Sequence, residues 1–160
     1  RKRIPETVDA FIRADIPNTK LLLAGNGPNL EEYKERYAQN EMVSFLGRRS
    51  DIKELLNIAD IFVSSSESEG LPLAVLEAIS TQNYVYLSDI PQHEEILREF
   101  DNCGISYRLG DKDELAELFR NTKQLLESAG NTGLQNSSFD IFVMGKAYRD
   151  YYISVSAKMG

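Results

Sequence analysis

Glu69 and Glu77 flank a short junction, Glu69-Gly70-Leu71-Pro72, that follows the apolar run Ile61-Phe62-Val63 and leads into Leu73–Ser80. A carboxylate accepts two hydrogen bonds from adjacent hydroxyls, as on a ribose or a hexose. Pro72 suits a first helical turn, where its missing N–H costs nothing. The free amides of that turn carry partial positive charge and favour phosphate. One segment can therefore offer amides to a diphosphate and two carboxylates to sugar hydroxyls, which is what binding a nucleotide sugar requires. The competing reading makes Glu69 a solvated loop charge and Glu77 a helix-surface charge.

A second junction, Gly25-Asn26-Gly27-Pro28, directly follows Leu21-Leu22-Leu23-Ala24. Glycines there let backbone approach a ligand closely. As a dinucleotide fingerprint it is incomplete, because Leu30 occupies the third glycine position and the next strand closes on Leu46-Gly47 without an acid. A plain tight turn competes with a binding role. His93 is the sole histidine, so a multi-histidine metal site is excluded, and it is expected on an exposed loop. Cys103 lacks a partner cysteine and is expected to be structural. Arg48-Arg49 divides between a solvated turn and a ligand contact.

These junctions need strands and helices to aim them. Apolar strands are expected at 21–24, 43–46, 61–63, 84–87 and, more weakly, 105–107, and continuous apolar runs suit a parallel sheet buried on both faces. Amphipathic helices alternate with them: Ile52, Leu55, Leu56 and Ala59 recur on one helical face, as do Leu115, Leu118 and Phe119. Asn29, Asp51 and Asp111 each stand three residues before a glutamate, the spacing of a capping box. The result is an open α/β, Rossmann-like parallel sheet with helices on both faces. The first helix, about 4–15, has no strand before it, although a doubly wound sheet usually starts on a central strand. A gap or foreign strand at the sheet centre is therefore expected, filled in one version by exchange between two chains. Residues 128–133 read as a loop and about 138–156 as a last helix, giving a unit over 1–136 and a C-terminal helix of the same domain over 137–160.

The chain has 160 residues, 42% hydrophobic and 27% charged, within the range of one compact domain. Its 18 basic and 25 acidic residues leave a net charge of −7, which disfavours generic binding to nucleic acid or anionic membrane. One cysteine and no apolar run near membrane-span length fit a soluble protein of a reducing, cytoplasmic compartment.

Taken together, Asp60-Ile61-Phe62-Val63-Ser64-Ser65, Glu69-Gly70-Leu71-Pro72 and Leu76-Glu77-Ala78 resemble the hallmark of retaining glycosyltransferase family 4 (group 1). The helix opening at Lys2, the strand and turn Leu22–Pro28, Val43–Gly47, Ser88–Ile96, Asn102–Ile105 and Gly110-Asp111 are similar to the family in the same order, over about residues 2–127. The resemblance implies the C-terminal, donor-binding half of a GT-B enzyme that transfers a sugar from a nucleoside diphosphate sugar to a saccharide or lipid-linked acceptor. It implies Glu77 on the ribose hydroxyls, Glu69 on the transferred sugar, and the amides of Gly70, Leu71 and Leu73 on the diphosphate or sugar. Lys2 would face the pyrophosphate, Gly27 would line the donor site and Arg48 would lie near the base, with Glu69 and Lys2 the residues closest to the chemistry. No metal and no cofactor beyond the donor itself are expected. The family's Gly-Arg strand end and the acceptor-binding N-terminal domain have no counterpart here, so the chain alone should be nearly inactive. The intact enzyme would sit in the cytoplasm, in one version peripherally on the inner face of a membrane. The alternative is a non-catalytic nucleotide-binding or receiver-like module. A nicotinamide-dependent oxidoreductase is weakened by the incomplete glycine pattern.

Overall fold

A computed structural model of the chain describes residues 1–130. The elements run α1 (Ile4–Ala14), β1 (Leu21–Ala24), α2 (Leu30–Arg36), β2 (Val43–Gly47), α3 (Ile52–Ile58) and β3 (Ile61–Ser64). They continue with α4 (Leu73–Ser80), β4 (Tyr84–Ser88), α5 (Pro91–Glu99), β5 (Gly104–Tyr107), α6 (Lys112–Arg120) and α7 (Thr122–Gly130). Every ladder among the described residues is parallel, as the apolar strands require. The fold is α/β and Rossmann-like, with helices on both faces of the strands. The helix α7 runs through Ser128, where a loop was expected. The last helix and the boundary at 136/137 lie outside the described residues.

Strand β4 shows why its sequence is apolar at every position. All five of its residues are buried, and the strand period of two sends them to opposite faces. Tyr84 and Tyr86 join Ala10, Phe11, Tyr107, Leu115 and Phe119 under α1 and α6. Val85 and Leu87 join Val75, Leu76, Ile79, Ile96 and Cys103 under α4 and α5. The Cys103 thiol, pushed up to about 11 by burial, is inert core, as expected. Of the three expected caps, only Asp111 accepts from backbone, at Asp113 N and Glu114 N. The Asp51 carboxylate is taken by Arg49, and Asn29 reaches the Glu32 side chain instead.

The strands fall into two groups, β1-β2 and β3-β4-β5, with no ladder between them among the described residues. Leu21 and Val43 from the first group and Ile61 and Val63 from the second pack against the same cluster, so the groups share one core. The expected break in the sheet is thus present. It falls where the chain passes from β2 to β3, leaving β3 half-buried throughout and Leu22 of β1 40% exposed.

The turn between α4 and β4 carries Gln82-Asn83. Gln82 takes a left-handed conformation, φ 64°, and the buried Asn83 amide donates to the carbonyls of Leu56 and Ala59 at 2.9 and 2.6 Å. The asparagine thereby satisfies the C-terminal end of α3. Gln82→Gly should raise stability by about 1 kcal/mol, read as a shift in the denaturation midpoint. Gly104→Ala should do the opposite. Its Cβ would sit 2.2 Å from the Val85 carbonyl oxygen, and a loss of about 3 kcal/mol is expected in the same measurement.

Candidate functional site

Three consecutive serines end β3 and begin the loop that carries Glu69. Ser65 and Ser66 are buried, and the Ser65 hydroxyl donates to the Lys2 carbonyl at 2.9 Å and meets the Thr7 hydroxyl at 2.7 Å. These bonds, with Glu67 N to Arg1 O at 2.9 Å, lash the start of the chain to the β3 loop. Lys2 is not frayed: its Nζ lies 2.5 Å from Glu69 Oε1. The Ser66 hydroxyl donates to the same oxygen at 2.6 Å. The Glu69 side chain is only 6% exposed, while Lys2 is 53% exposed. Burial pushes the Glu69 carboxyl up, but the Lys2 and Ser66 hydrogen bonds outweigh it and hold the group below its ordinary value. The carboxylate stays ionised with Oε2 left over, and the ammonium keeps donors beyond the one it gives to Glu69.

Gly70 follows directly. A Cβ there would meet nothing within 4 Å, so the protein's own packing does not demand glycine; the space beside it is open. Among the described residues no acceptor takes the amides of Gly70 and Leu71. Leu73 differs from expectation, because its amide already donates to the Leu71 carbonyl at 2.8 Å in a three-residue turn. That turn, with Pro72 as N-cap, starts α4. Val75, Leu76, Ala78 and Ile79 bury one face of the helix, which leaves Leu73, Ala74 and Glu77 on the other. Glu77 is exposed and has no side-chain partner among the described residues. Leu73, 55% exposed, shares its face one turn earlier.

The glycine turn assembles separately. The Gly25 amide donates to the Gly47 carbonyl at 2.7 Å, tying the carboxyl ends of β1 and β2. Gly25 and Gly47 hold φ of 141° and 66°, conformations that favour glycine. Gly27 and Arg48 thus stand on neighbouring, exposed strand ends, with open space at Gly27. Arg49 is engaged by Asp51. Arg48 has no partner among the described residues. The structure brings Lys2, Glu69 and Gly70 together and Gly27 and Arg48 together.

His93 overturns the expectation of an exposed loop. It is 0% exposed, in the first turn of α5, with Nδ1 2.9 Å from the Ser88 carbonyl and Nε2 3.4 Å from the Ser64 hydroxyl. The bonding roles of Ser64, Ser65 and Ser66 escaped sequence reading because hydroxyls carry no periodicity signal, the unbroken serine run at a strand end being the available hint. His93 was placed on the surface because its polar type does not reveal the partners that the fold brings to it. A shallow depression elsewhere, lined by Arg13, Arg108, Gly110, Lys112 and Asp113, has mixed charge, and Asp111 already caps its helix.

The glycosyl transferases group 1 family matches residues 1–134. The chain is 31% identical over 150 residues to an Escherichia coli UDP-Gal:alpha-D-GlcNAc-diphosphoundecaprenol alpha-1,3-galactosyltransferase, covering 88% of this chain and 38% of that protein. It is 30% identical over 137 residues to a Campylobacter jejuni N,N'-diacetylbacillosaminyl-diphospho-undecaprenol alpha-1,3-N-acetylgalactosaminyltransferase, covering 82% and 36%. The chain therefore spans well under half the length of these relatives. Anabaena HepE, solved in complex with UDP and glucose, superposes with TM-score 0.68 at 20% identity over 96% of this chain and 45% of that one. TarM of S. aureus superposes with TM-score 0.73 at 18% identity over 93% and 32%. Fold, motif order and match length agree: the chain belongs to the group 1 glycosyl transferases, in their GT-B fold.

Proposed function

We propose that this chain is the donor-binding half of a retaining glycosyltransferase that moves a sugar from a nucleoside diphosphate sugar to a saccharide or lipid-linked acceptor. The observation that carries the reading is the ionised, buried Glu69 set beside the open amides of Gly70 and Leu71 and the free ammonium donors of Lys2. The Escherichia coli relative's name pairs a UDP-sugar with a diphosphoundecaprenol acceptor, which supports this choice of donor and acceptor class, and the HepE structure holds UDP with glucose, which supports the donor.

In this role Glu69 accepts hydroxyls of the transferred sugar, and Glu77 accepts the ribose hydroxyls. When the bond from the anomeric carbon to the diphosphate breaks, its electron pair leaves on the diphosphate. The Gly70 and Leu71 amides and Lys2 meet that developing charge. A new bond to the acceptor oxygen replaces the old one, and the acceptor's proton leaves to a base outside this chain. The Leu73 amide joins only if its turn to Leu71 opens. Gly27 and Arg48 would line the base side.

Titration of the 160-residue chain with UDP and UDP-sugars tests the reading, and no heat or shift at millimolar ligand would sink it. Glu77→Ala should weaken UDP about tenfold or more, the worth of a charge-assisted hydrogen bond. Glu69→Ala should cost the sugar's share of affinity and leave UDP nearly unchanged.

Glu69 also sets an acid limit. Its folded value lies below the unfolded one, so its contribution to stability is complete above the unfolded value and fades as pH falls through the folded one. Lys2→Met should move the Glu69 titration upward and narrow that window, followed by carbon-13 NMR of the carboxyl.

A further inference from the structure

The donor reading uses Glu69, but it leaves unexplained a buried polar network behind it. Ser66 is the hub. Its hydroxyl donates to Glu69 Oε1 at 2.6 Å, and its carbonyl accepts from the Ser88 hydroxyl at 2.7 Å. Ser66, Ser88 and His93 are each 0% exposed, so each bond is made away from water.

The imidazole spans both strand ends. Nδ1 faces the Ser88 carbonyl at 2.9 Å, and a carbonyl oxygen only accepts, so Nδ1 carries the proton. The Ser88 hydroxyl lies 3.1 Å from the same nitrogen. Nε2 is then the acceptor for the Ser64 hydroxyl at 3.4 Å, and Ser64 lies 3.3 Å from the Ser66 hydroxyl. One donating path, the tight arm, therefore runs from the ring through Ser88 of β4 to the Ser66 carbonyl; Ser64 of β3 spends its proton on Nε2 and Ser66 spends its own on Glu69, so those two hydroxyls only lie side by side. Burial, with help from Lys2, holds the imidazole neutral and below its ordinary value, outweighing the Ser88 carbonyl, Glu69 and Glu94, which favour the charged ring.

A neutral ring serves this arrangement. A short serine has no way to fix its own hydroxyl direction on a loop, and of the two groups that hold Glu69 Oε1 the Lys2 ammonium is exposed while Ser66 is the one set inside the fold. Packing Ser66 between β3, β4 and the first turn of α5 removes that freedom. We propose that His93 is a positioning residue, holding Ser66 and through it Glu69 in the orientation that receives the donor sugar. The role rests on the donor reading for its ligand, while the hold on Glu69 is a property of the free chain.

Three variants and two readouts test it. His93→Leu fills the ring's space without a hydrogen bond, and His93→Asn keeps a donor near the Nδ1 position. The first readout is the ratio of UDP-sugar to UDP affinity. The second, which needs no ligand, is the Glu69 titration by carbon-13 NMR. His93→Leu should lower the ratio about fivefold, the worth of one neutral hydrogen bond, and shift the Glu69 titration upward. His93→Asn should restore most of both. A purely structural histidine would lower thermal stability and weaken both ligands alike, leaving the ratio and the titration in place. If His93→Leu does not fold, Ser88→Ala cuts the tight arm and carries the same expectation. A wild-type chain that binds neither ligand refutes the donor reading, and the Glu69 titration then decides the positioning role. An unmoved titration in the folded variants overturns the proposal whatever the affinities do.

Discussion

A carboxylate taken out of water must be paired or give up its charge, and the part of the chain around the site is arranged so that Glu69 is paired. Lys2 and Ser66 both bind one of its oxygens, so the start of the chain is anchored to the β3 loop. A second buried acid repeats the device. Glu6 accepts from Arg3 Nε at 2.5 Å and from the Gly110 amide at 3.0 Å, linking the first turn of α1 to the loop before α6. Arg3 also reaches Glu67 at 2.9 Å. Breaking one partner away would strand a buried charge, which costs far more than a surface pair contributes. Exposed pairs such as Lys34 with Glu31 therefore matter little here.

The net charge of −7 is compatible with the proposed diphosphate ligand, because recognition there would be local. Open amides at Gly70 and Leu71 and the Lys2 ammonium supply positive potential over a few ångströms, where a distant surface charge is screened. Among the described residues no helix is long and apolar enough to cross a membrane.

Much of the fold was legible because parallel strands buried on two faces must be apolar at every position. The stretch Tyr84–Leu87 reads as a strand for that reason, and Leu73–Ser80 as a helix from Pro72 at its first turn. Gly25 was legible as a turn residue and Gly47 as a strand end, and positive φ explains the glycine at both. Other features depend on partners far apart in sequence. His93 carries a polar label, yet the structure buries it because Ser64 and Ser88 satisfy both ring nitrogens. The amide of Leu73 was expected to be open, and a turn too local for any periodicity engages it. Asp51 has the spacing of a cap, but Arg49 two residues earlier competes for it and wins. Nothing in the local sequence marks Asn83 as buried, and the carbonyls of Leu56 and Ala59 explain it.

The central claim is that the donor's diphosphate sits at the Gly70–Leu71 amides between Glu69 and Glu77. Backbone amide NMR spectra of the 160-residue chain, recorded during a UDP titration, test it most directly. The account predicts the largest saturable shifts at Gly70, Leu71 and the first turn of α4, with smaller ones at Gly27 and Arg48. Shifts concentrated instead at the Arg108–Asp113 depression, or none at millimolar UDP, would contradict it.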